Sequence, residues 1–457
     1  MDCLENLPAR KKISKTMSSV SPPVNDTIII GAGWTGLACA VELCRQGQQV
    51  NVLEASSSVG GRARTVLAKD MHIDNGQHLL LGAYQSFLSL LPVLSINEAD
   101  VLIRQRLKLT VQSLSGNRFQ IKSSYLPGKI GQLWSLIQTS GLSLSEKWQL
   151  GLFFSRQNRT QFTLNKDSSV IEYLIAQQQS KHIIDMFWSP LCVAALNTQP
   201  AIASARVFLR VLQATFAGSQ HHSDLLFPRV KLGELFPEPA MNYLNTNHQQ
   251  VLLNTRVKSL TKNNTGWLLR TNKQEFHSRH VVIATSFQHA SKLLSTLPDT
   301  KNFTDQINQL TTEPITTVYM QFPAEYQMGD YMTGLSDGIS QWFIDRRSCG
   351  QAGLIAAVIS ANGPHHSLDK ATLISQVTNE FSRLFPSWPA PLNCYLLREQ
   401  QATFSCHTDI DKMRPSCSQL DDSLWVTGDY IDNGLPATLE SAVQNGVQCA
   451  REIIHQR

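Results

Sequence analysis

The sequence lacks the cysteine patterns that a metal site or a disulfide framework requires. Its nine cysteines are odd in number, are scattered along 457 residues and contain no C-x-x-C pair; they stand at positions 3, 39, 44, 192, 349, 394, 406, 417 and 449. Paired spacings of that kind mark zinc sites and secreted disulfide scaffolds. We therefore expect no metal, free thiols and a reducing, cytoplasmic compartment.

The chain also lacks a long apolar run, a basic stripe and an internal repeat. Without about 18 consecutive apolar residues, no segment is expected to span a membrane. The formal net charge of +5 is mild and unclustered, which argues against a nucleic-acid partner but suits contact with an anionic membrane surface. Residues 1–23 are polar and have no apolar core, which predicts a disordered extension rather than a secretory signal, with Met17 as an alternative start.

Length and composition favour two intertwined domains. The chain has 457 residues, of which 42% are hydrophobic. That length exceeds one ordinary domain, and the apolar content supports a sizeable core.

The most informative segment is a strand–turn–helix–strand pattern in residues 24–64. An apolar run at 24–30 leads into Gly31-Ala-Gly33-Trp34-Thr-Gly36, and a helix-like stretch follows. In such a unit Gly31 allows the tight turn, Gly33 lets a pyrophosphate approach the backbone, and Gly36 lets the helix pack on the strand. The pattern predicts a dinucleotide-binding βαβ unit.

The next strand ends on an acid at the position that contacts the ribose. The helix beginning near Trp34 directs its free N–H groups and positive dipole end at the phosphates. Glu54 is placed to accept hydrogen bonds from the adenosine ribose, and a carboxylate there disfavours the 2′-phosphate of NADP.

The turn Gly60-Gly61-Arg62, which follows Glu54, distinguishes FAD from NAD. The two glycines permit a close backbone pass, and Arg62 brings a planar cation suited to phosphate oxygens. The segment resembles the turn that runs along the flavin pyrophosphate in the amine oxidase and phytoene desaturase superfamily. This resemblance implies FAD as the cofactor.

The C-terminal segment carries the same resemblance. Residues 424–430 resemble a strand entering a turn, in which Gly428 and Asp429 would bind the ribityl chain or a phosphate. Beyond Leu435, a predicted helix at 437–454 would direct its N-terminus at the N1/O2 edge of the flavin. Residues 251–257 resemble a strand in which Val257 contacts the adenine through its backbone.

These segments predict an α/β protein with a discontinuous Rossmann-type FAD-binding domain and an interleaved α+β substrate domain. The FAD-binding domain is expected to comprise residues 24–85, 249–300 and 415–457. The substrate domain is expected to comprise 86–248 and 301–414, with apolar helices covering a sheet. Within it, periodicity predicts helices in 126–154 and 170–216 and strands in 101–111, 316–322, 341–345 and 353–360.

Further segments narrow the resemblance to one family, the squalene-associated FAD-dependent desaturases, better described as bacterial hydroxysqualene dehydroxylases. They are residues 73–84, 188–198, 223–230, 235–240 and 428–440. The resemblance implies reduction of hydroxysqualene, an allylic C30 alcohol, to squalene with loss of water and consumption of reduced FAD, in a route to hopanoids. It also brings Gly76 and Gln77 towards the flavin ring, and it leaves the electron donor open.

Three groups are candidates for the proton donor that loss of the hydroxyl requires. His78 follows Gln77 and, as an imidazolium, would be a donor near neutral pH; a structural, hydrogen-bonded histidine is the alternative. Asp224 and Arg229 form a polar island in apolar surroundings. A buried Asp224 would have a raised pKa and could donate the proton; a structural ion pair between the two residues is the alternative. Asp345 is a weaker third candidate.

Other functions remain open at this point. A carotenoid-type desaturase would use the same fold and a similar apolar tunnel in the oxidative direction. A flavin amine oxidase, a protoporphyrinogen oxidase and a non-catalytic FAD-binding partner are further alternatives. Because a squalene-type substrate dissolves in membranes, we also expect peripheral contact through helices in 126–154, with Trp134 and Trp148 in the docking face; internal packing of these residues is the alternative.

Overall fold

The structure is a computed structural model that describes residues 24–68, 71–124, 128–416 and 418–456. The polar extension at 1–23 and Cys417 lie outside these ranges. Within them, no helix has both the length and the apolar character needed to cross a lipid bilayer.

The elements alternate between two large sheets and the helices that cover them. The strands are β1 (Val24–Ile30), β2 (Val50–Leu53), β3 (Thr65–Ala68), β4 (Met71–Asp74), β5 (Leu80–Leu81), β6 (Leu102–Gln105), β7 (Lys108–Gln112), β8 (Arg118–Lys122), β9 (Leu225–Pro228), β10 (Gln250–Leu252), β11 (Val257–Asn263), β12 (Gly266–Thr271), β13 (Glu275–Ile283), β14 (Thr312–Gln321), β15 (Met332–Leu335), β16 (Trp342–Asp345), β17 (Leu354–Ser360), β18 (Asn393–Phe404), β19 (Gln419–Asp421) and β20 (Leu424–Val426). The helices are α1 (Trp34–Arg45), α2 (Gln85–Val93), α3 (Glu98–Val101), α4 (Gly128–Gln138), α5 (Leu144–Thr160), α6 (Val170–Ala176), α7 (Lys181–Ile183), α8 (Ser189–Leu196), α9 (Ala205–Phe216), α10 (Leu232–Leu235), α11 (Pro237–Thr246), α12 (Phe287–Leu294), α13 (Lys301–Ile307), α14 (Lys370–Leu384) and α15 (Leu439–His455).

The first sheet has a parallel core of five strands in the order β10-β2-β1-β13-β20. β1 lies at its centre, and residues 27–30 are completely or almost completely buried because parallel strands are covered on both faces. The first and last helices, α1 and α15, pack against each other, and a Cβ at Gly446 would collide with the backbone oxygen of Thr35. The two ends of the described chain therefore meet in one layer.

Two boundaries in this part of the chain differ from the sequence-based prediction. The predicted strand at 251–257 is divided, because β10 ends at Leu252 and the chain turns through Asn254, whose φ is +54°, before β11 begins at Val257. The C-terminal helix begins at Leu439 rather than at residue 437. Its N-terminus is fixed by Thr438, whose side chain accepts a hydrogen bond from the N–H of Ser441.

The second sheet has seven strands in the order β18-β14-β17-β16-β15-β7-β8 and is antiparallel except between β15 and β7. The strands predicted at 316–322, 341–345 and 353–360 correspond to β14, β16 and β17. The predicted strand at 101–111 is two strands, β6 and β7, which belong to different sheets. The helical blocks contain α4 and α5, then α6 to α9 with a π-helical turn at Ile184–Trp188. Residues 125–127 lie outside the described ranges.

Candidate functional site

A cavity of about 1990 Å³ runs from the turn after β1 to the helices over the second sheet. Typical small-molecule sites occupy roughly 300–1,000 Å³. The space therefore exceeds a typical small-molecule site and has room for a dinucleotide together with a second molecule. Polar backbone and charged groups line one half, and apolar side chains line the other.

The glycine turn forms the floor of the polar half. Gly31 has φ of +107°, and a Cβ on it would lie 2.6 Å from the backbone oxygen of Ala284. A Cβ on Gly36 would collide with the backbone oxygen of Gly31, so this glycine sets the close packing of α1 on β1. A Cβ on Gly33, in contrast, would meet nothing within 4 Å. The backbone at Gly33 faces open space directly before α1 begins at Trp34, which fits a pyrophosphate lying against it.

Glu54 lies beside the glycine turn and is fixed by it. Its two carboxylate oxygens accept hydrogen bonds from the N–H groups of Ala32 and Ser56, each at 2.7 Å. The N–H of Thr255 donates to the backbone oxygen of Glu54 at 2.7 Å, and Thr255 and Val257 line the cavity beside it. The acid and the backbone predicted to contact ribose and adenine are thus neighbours.

Arg62 connects the two ends of the sequence. Its Nη2 lies 2.7 Å from Oδ2 of Asp429, although the two residues are 367 positions apart. Its Nη1 donates to the backbone oxygen of Ala402 at 2.9 Å. Before it, Gly60 and Gly61 have φ of +102° and +60°, and a Cβ on Gly61 would lie 3.2 Å from Cα of Gly33. The Gly-Gly-Arg turn therefore lies directly against the glycine turn.

The loop before α15 is held by a buried arginine that sequence reasoning missed. Arg414 is completely buried and donates hydrogen bonds to a set of backbone oxygens, those of Asp429 (3.2 Å), Tyr430 (3.3 Å), Ile431 (2.8 Å) and Leu435 (2.8 Å). Gly428, Asp429 and Leu435 line the cavity. Because Arg414 occupies the loop carbonyls, it fixes the path of the chain that leads to the N-terminus of α15.

The Gly76-Gln77 backbone lines the cavity above a buried polar network. Oε1 of Gln77 accepts from Nη1 of Arg346 at 2.8 Å, and its Nε2 donates to the Tyr319 hydroxyl at 2.7 Å. That hydroxyl donates to the backbone oxygen of Asp74 at 2.6 Å. Burial raises the pKa of Tyr319 well above its usual range, so the hydroxyl remains protonated. Sequence reasoning missed Arg346 and Tyr319, which lie far from Gln77 in the chain and carry no local pattern.

His78 lines the cavity but in a state that differs from the expectation. Burial, with the nearby charge of Arg62 and against that of Asp74, lowers the pKa of His78 to about 4. Its imidazole is therefore neutral near pH 7, whereas the hypothesis of a His78 proton donor needed the imidazolium.

The structure does not bring Asp224 and Arg229 to the cavity. Asp224 is buried, and its Oδ2 lies 3.2 Å from Nδ1 of His221 and 3.3 Å from Nη1 of Arg104. Arg229 is exposed on the other end of β9, so the ion pair considered between these two residues is not formed. Asp345 is completely buried and accepts from the N–H groups of Met328 and Arg347. The Asp224 and Asp345 side chains thus have structural partners.

The apolar half of the cavity lies between α4, α5, α8 and α9 and the second sheet. Its wall includes Leu109, Phe154, Phe187, Leu191, Met332 and Trp342. On the outside of the same helices, large apolar side chains are exposed: Trp134 (47%), Ile137 (52%), Leu144 (85%) and Trp148 (69%). The α4–α5 pair thus has an apolar face on the cavity and an apolar face on the surface.

A carboxylate that sequence reasoning also missed lies where the two halves meet. Glu399 on β18 lines the cavity, and its Oε2 accepts from Nδ2 of Asn75 at 3.1 Å. The same amide group donates to the backbone oxygen of Arg62 at 2.9 Å. Glu399 therefore stands between the Gly-Gly-Arg turn and the apolar wall.

Comparison with known proteins agrees with this geometry. The family model described as flavin containing amine oxidoreductase matches residues 34–454. A hydroxysqualene dehydroxylase from Rhodopseudomonas palustris is 24% identical over 445 residues, which cover 92% of this chain and 96% of that protein. A zeta-carotene desaturase from Synechocystis is 23% identical over 480 residues, covering 93% and 96%. The crystal structure of an oxidoreductase from Methanosarcina mazei superposes with a TM-score of 0.74 at 15% identity, covering 93% of this chain and 100% of that one.

Proposed function

The chain belongs to the flavin containing amine oxidoreductases and is a FAD-dependent oxidoreductase, and from this premise we propose that it reduces hydroxysqualene to squalene with loss of water. The observation that carries the proposal is the continuity of the cavity, in which a dinucleotide cradle opens directly into a large apolar space. The similarity to hydroxysqualene dehydroxylases over more than nine-tenths of the chain supports this reaction. Squalene formed in this way would enter hopanoid or related triterpene synthesis.

Each end of the cofactor has a matching group in the polar half. The backbone at Gly33 and the N-terminus of α1 would receive the pyrophosphate, with Arg62 alongside. Glu54 would accept from the ribose hydroxyls, and Val257 would lie at the adenine. Gly428, Asp429 and Leu435 would hold the ribityl and pyrimidine end, and Gly76 and Gln77 the opposite edge of the ring. When bound in its reduced form, FAD supplies a hydride.

The apolar half suits a C30 isoprenoid because apolar side chains from the helices and from the second sheet, such as Phe154, Leu191 and Met332, line it. It excludes water from a carbon that becomes positively charged as the allylic C–O bond breaks. The aromatic faces of Phe187 and Trp342 are suited to stabilise that charge. The wall also has to hold the reacting carbon within about 3–3.5 Å of the hydride donor.

The direction of the reaction separates this proposal from a carotenoid desaturase, which the similarity to zeta-carotene desaturase keeps as a second candidate. The purified protein is loaded with FAD, reduced anaerobically with dithionite and mixed with hydroxysqualene. We expect squalene and reoxidised flavin in equal amounts. Oxidised protein mixed with phytoene or zeta-carotene should give no desaturated product, and desaturation without dehydroxylation would refute the proposal.

We further propose that the protein contacts anionic membranes through the outer face of α4 and α5. Trp134, Leu144 and Trp148 are exposed there, whereas Leu136, Gly151 and Phe154 of the same helices line the cavity. Aromatic side chains on an exposed helix face are typical of interfacial anchors. This arrangement would bring the apolar half of the cavity next to the lipid in which the substrate dissolves.

A further inference from the structure

Glu399 faces the cavity at the junction of its polar and apolar halves. Its Oε2 accepts from Nδ2 of Asn75 at 3.1 Å, and its Oε1 accepts from the N–H of Gln401 at 3.2 Å. Among the described residues, no arginine or lysine lies within salt-bridge distance of this carboxylate. It is held in place by neutral donors only.

Each of the other carboxylates of the cavity wall has its partner in the glycine turn, in Arg62 or at a helix N-terminus. Glu54 accepts from two N–H groups of the glycine turn, and Asp429 pairs with Arg62. Glu440 accepts from the N–H groups of Ser86 and Phe87 at 2.7 and 3.0 Å, at the N-terminus of α2. Within the described part of the chain, Glu399 is thus the acid of the cavity wall that lies beside the apolar half and is neither in an ion pair nor at a helix N-terminus.

Loss of a hydroxyl from an allylic carbon needs an acid close to the hydroxyl oxygen. Hydroxide is a poor leaving group, and a positioned acid contributes roughly 10²–10⁴-fold to such a step. Among the described residues that line the apolar wall beyond Glu399, none carries another carboxyl group.

The geometry points to Glu399 as the general acid that protonates the departing hydroxyl, an inference that rests on the proposed dehydroxylation. The carboxyl O–H bond breaks and its proton moves to the hydroxyl oxygen, while the C–O bond breaks and its electron pair leaves with water. Reduced FAD, held by the glycine turn and Arg62, would supply the hydride for the allylic carbon, and an external two-electron donor would reduce the flavin again. The Glu399 carboxylate regains a proton from solvent, and Asn75 acts as a positioning residue through its hydrogen bond.

The test compares two leaving groups in the FAD-loaded full-length protein. Glu399→Gln keeps an oxygen that accepts from Asn75 but carries no transferable proton. The substrates are hydroxysqualene and its acetate ester, whose leaving group departs without needing a proton. Flavin reoxidation and squalene formation are measured after reduction with dithionite, and Gln400→Ala, an exposed neighbour on the same strand, is the control.

We expect Glu399→Gln to lose at least about 100-fold of its rate with hydroxysqualene and to retain the wild-type rate with the acetate to within about threefold. FAD content should equal that of the wild type. Unchanged turnover of hydroxysqualene by the variant, or equal loss with both substrates, would overturn the role of Glu399 and leave the proposed function intact. Wild-type protein that converts neither substrate would overturn both.

Discussion

Asp74 and Arg346 form a buried ion pair that connects the end of β4 to the second sheet. Nη2 of Arg346 lies 2.6 Å from Oδ2 of Asp74, and the two side chains are 5% and 1% exposed. Asp74 ends β4, directly before the loop that carries Gln77, whereas Arg346 follows β16 of the second sheet. Because Arg346 also donates to Gln77, the pair anchors the loop that lines the cavity.

Replacement of this arginine is therefore expected to cost stability and flavin affinity together. Arg346→Met leaves the Asp74 carboxylate buried without its cation, a change that typically costs about 3–5 kcal/mol. Thermal unfolding of the FAD-free protein should show a lowered Tm, and titration should show weaker FAD binding. The matched control is Arg279→Met, since Arg279 is 66% exposed and pairs with Asp26 at 2.9 Å on the surface. Exposed pairs contribute only about 0–1 kcal/mol, so equal effects of the two variants would contradict this account.

Substitution of Gly33 should weaken FAD binding, whereas substitution of Gly36 should lower stability. At Gly33 an added methyl group meets no protein atom, so Gly33→Ala should leave the Tm of the FAD-free protein unchanged. It should nevertheless raise the dissociation constant for FAD at least about tenfold, which is about 1.4 kcal/mol, because the methyl group would occupy the space of the pyrophosphate. Gly329→Ala, also without neighbours within 4 Å, is the control for both measurements.

Gly36→Ala should instead destabilise the FAD-free protein, since its methyl group collides with the backbone oxygen of Gly31. Because α1 packs directly on β1, the backbone can make room for this methyl group only if the whole helix shifts. The unfolding temperature without FAD is the measurement. An unchanged Tm for Gly36→Ala, or a lowered one for Gly33→Ala, would show that the roles of the two glycines are not those described.

The half-buried imidazole of His78 should make the FAD-free protein sensitive to mild acid. Its pKa is about 4 when folded against 6.5 in the unfolded chain, so the unfolded chain binds the extra proton. Stability is then complete above pH 6.5 and decreases as the pH falls towards 4; at pH 5 the loss from this group is about 2 kcal/mol. His78→Gln should reduce the fall in Tm between pH 7 and pH 5.

Part of the acid sensitivity should survive that substitution, because burial lowers the pKa of His365 to about 4 as well. The control is His248→Gln at an exposed position, which is expected to retain the acid sensitivity of the wild type. A His78→Gln protein with the same loss of Tm at pH 5 as the wild type would refute a half-buried, neutral imidazole at this position.

Membrane association should depend on the outer face of α4 and α5. The double variant Trp134→Glu, Trp148→Glu places two acids on that face, and we expect at least about a tenfold weaker partition to vesicles, about 1.4 kcal/mol. Flotation with phosphatidylglycerol–phosphatidylcholine vesicles measures this change. Leu392→Glu replaces a residue that is 64% exposed directly before β18 and is the control. Equal flotation of the double variant and the wild type would exclude this face as the docking surface.

The amino-acid sequence by itself determined the local parts of the site. The spacing of Gly31, Gly33 and Gly36 before a helix, followed by a strand ending on Glu54, dictates a βαβ unit because turn, helix and strand depend on neighbours in the chain. The same is true of Gly60 and Gly61, which the structure places at positive φ. The parallel sheet and the FAD-binding fold followed from these short patterns.

Tertiary structure alone decided which side chains meet. Asp224 and Arg229 are five positions apart, but β9 runs between them, and an extended chain separates such residues by about 16 Å. Arg62 and Asp429 follow two strands of the first sheet, and Glu399 of the second sheet meets Asn75 after β4; both pairs are hundreds of positions apart in the chain and in contact in the fold. The charge of His78 was likewise decided by burial, a property of the folded surroundings that its neighbours in sequence do not carry.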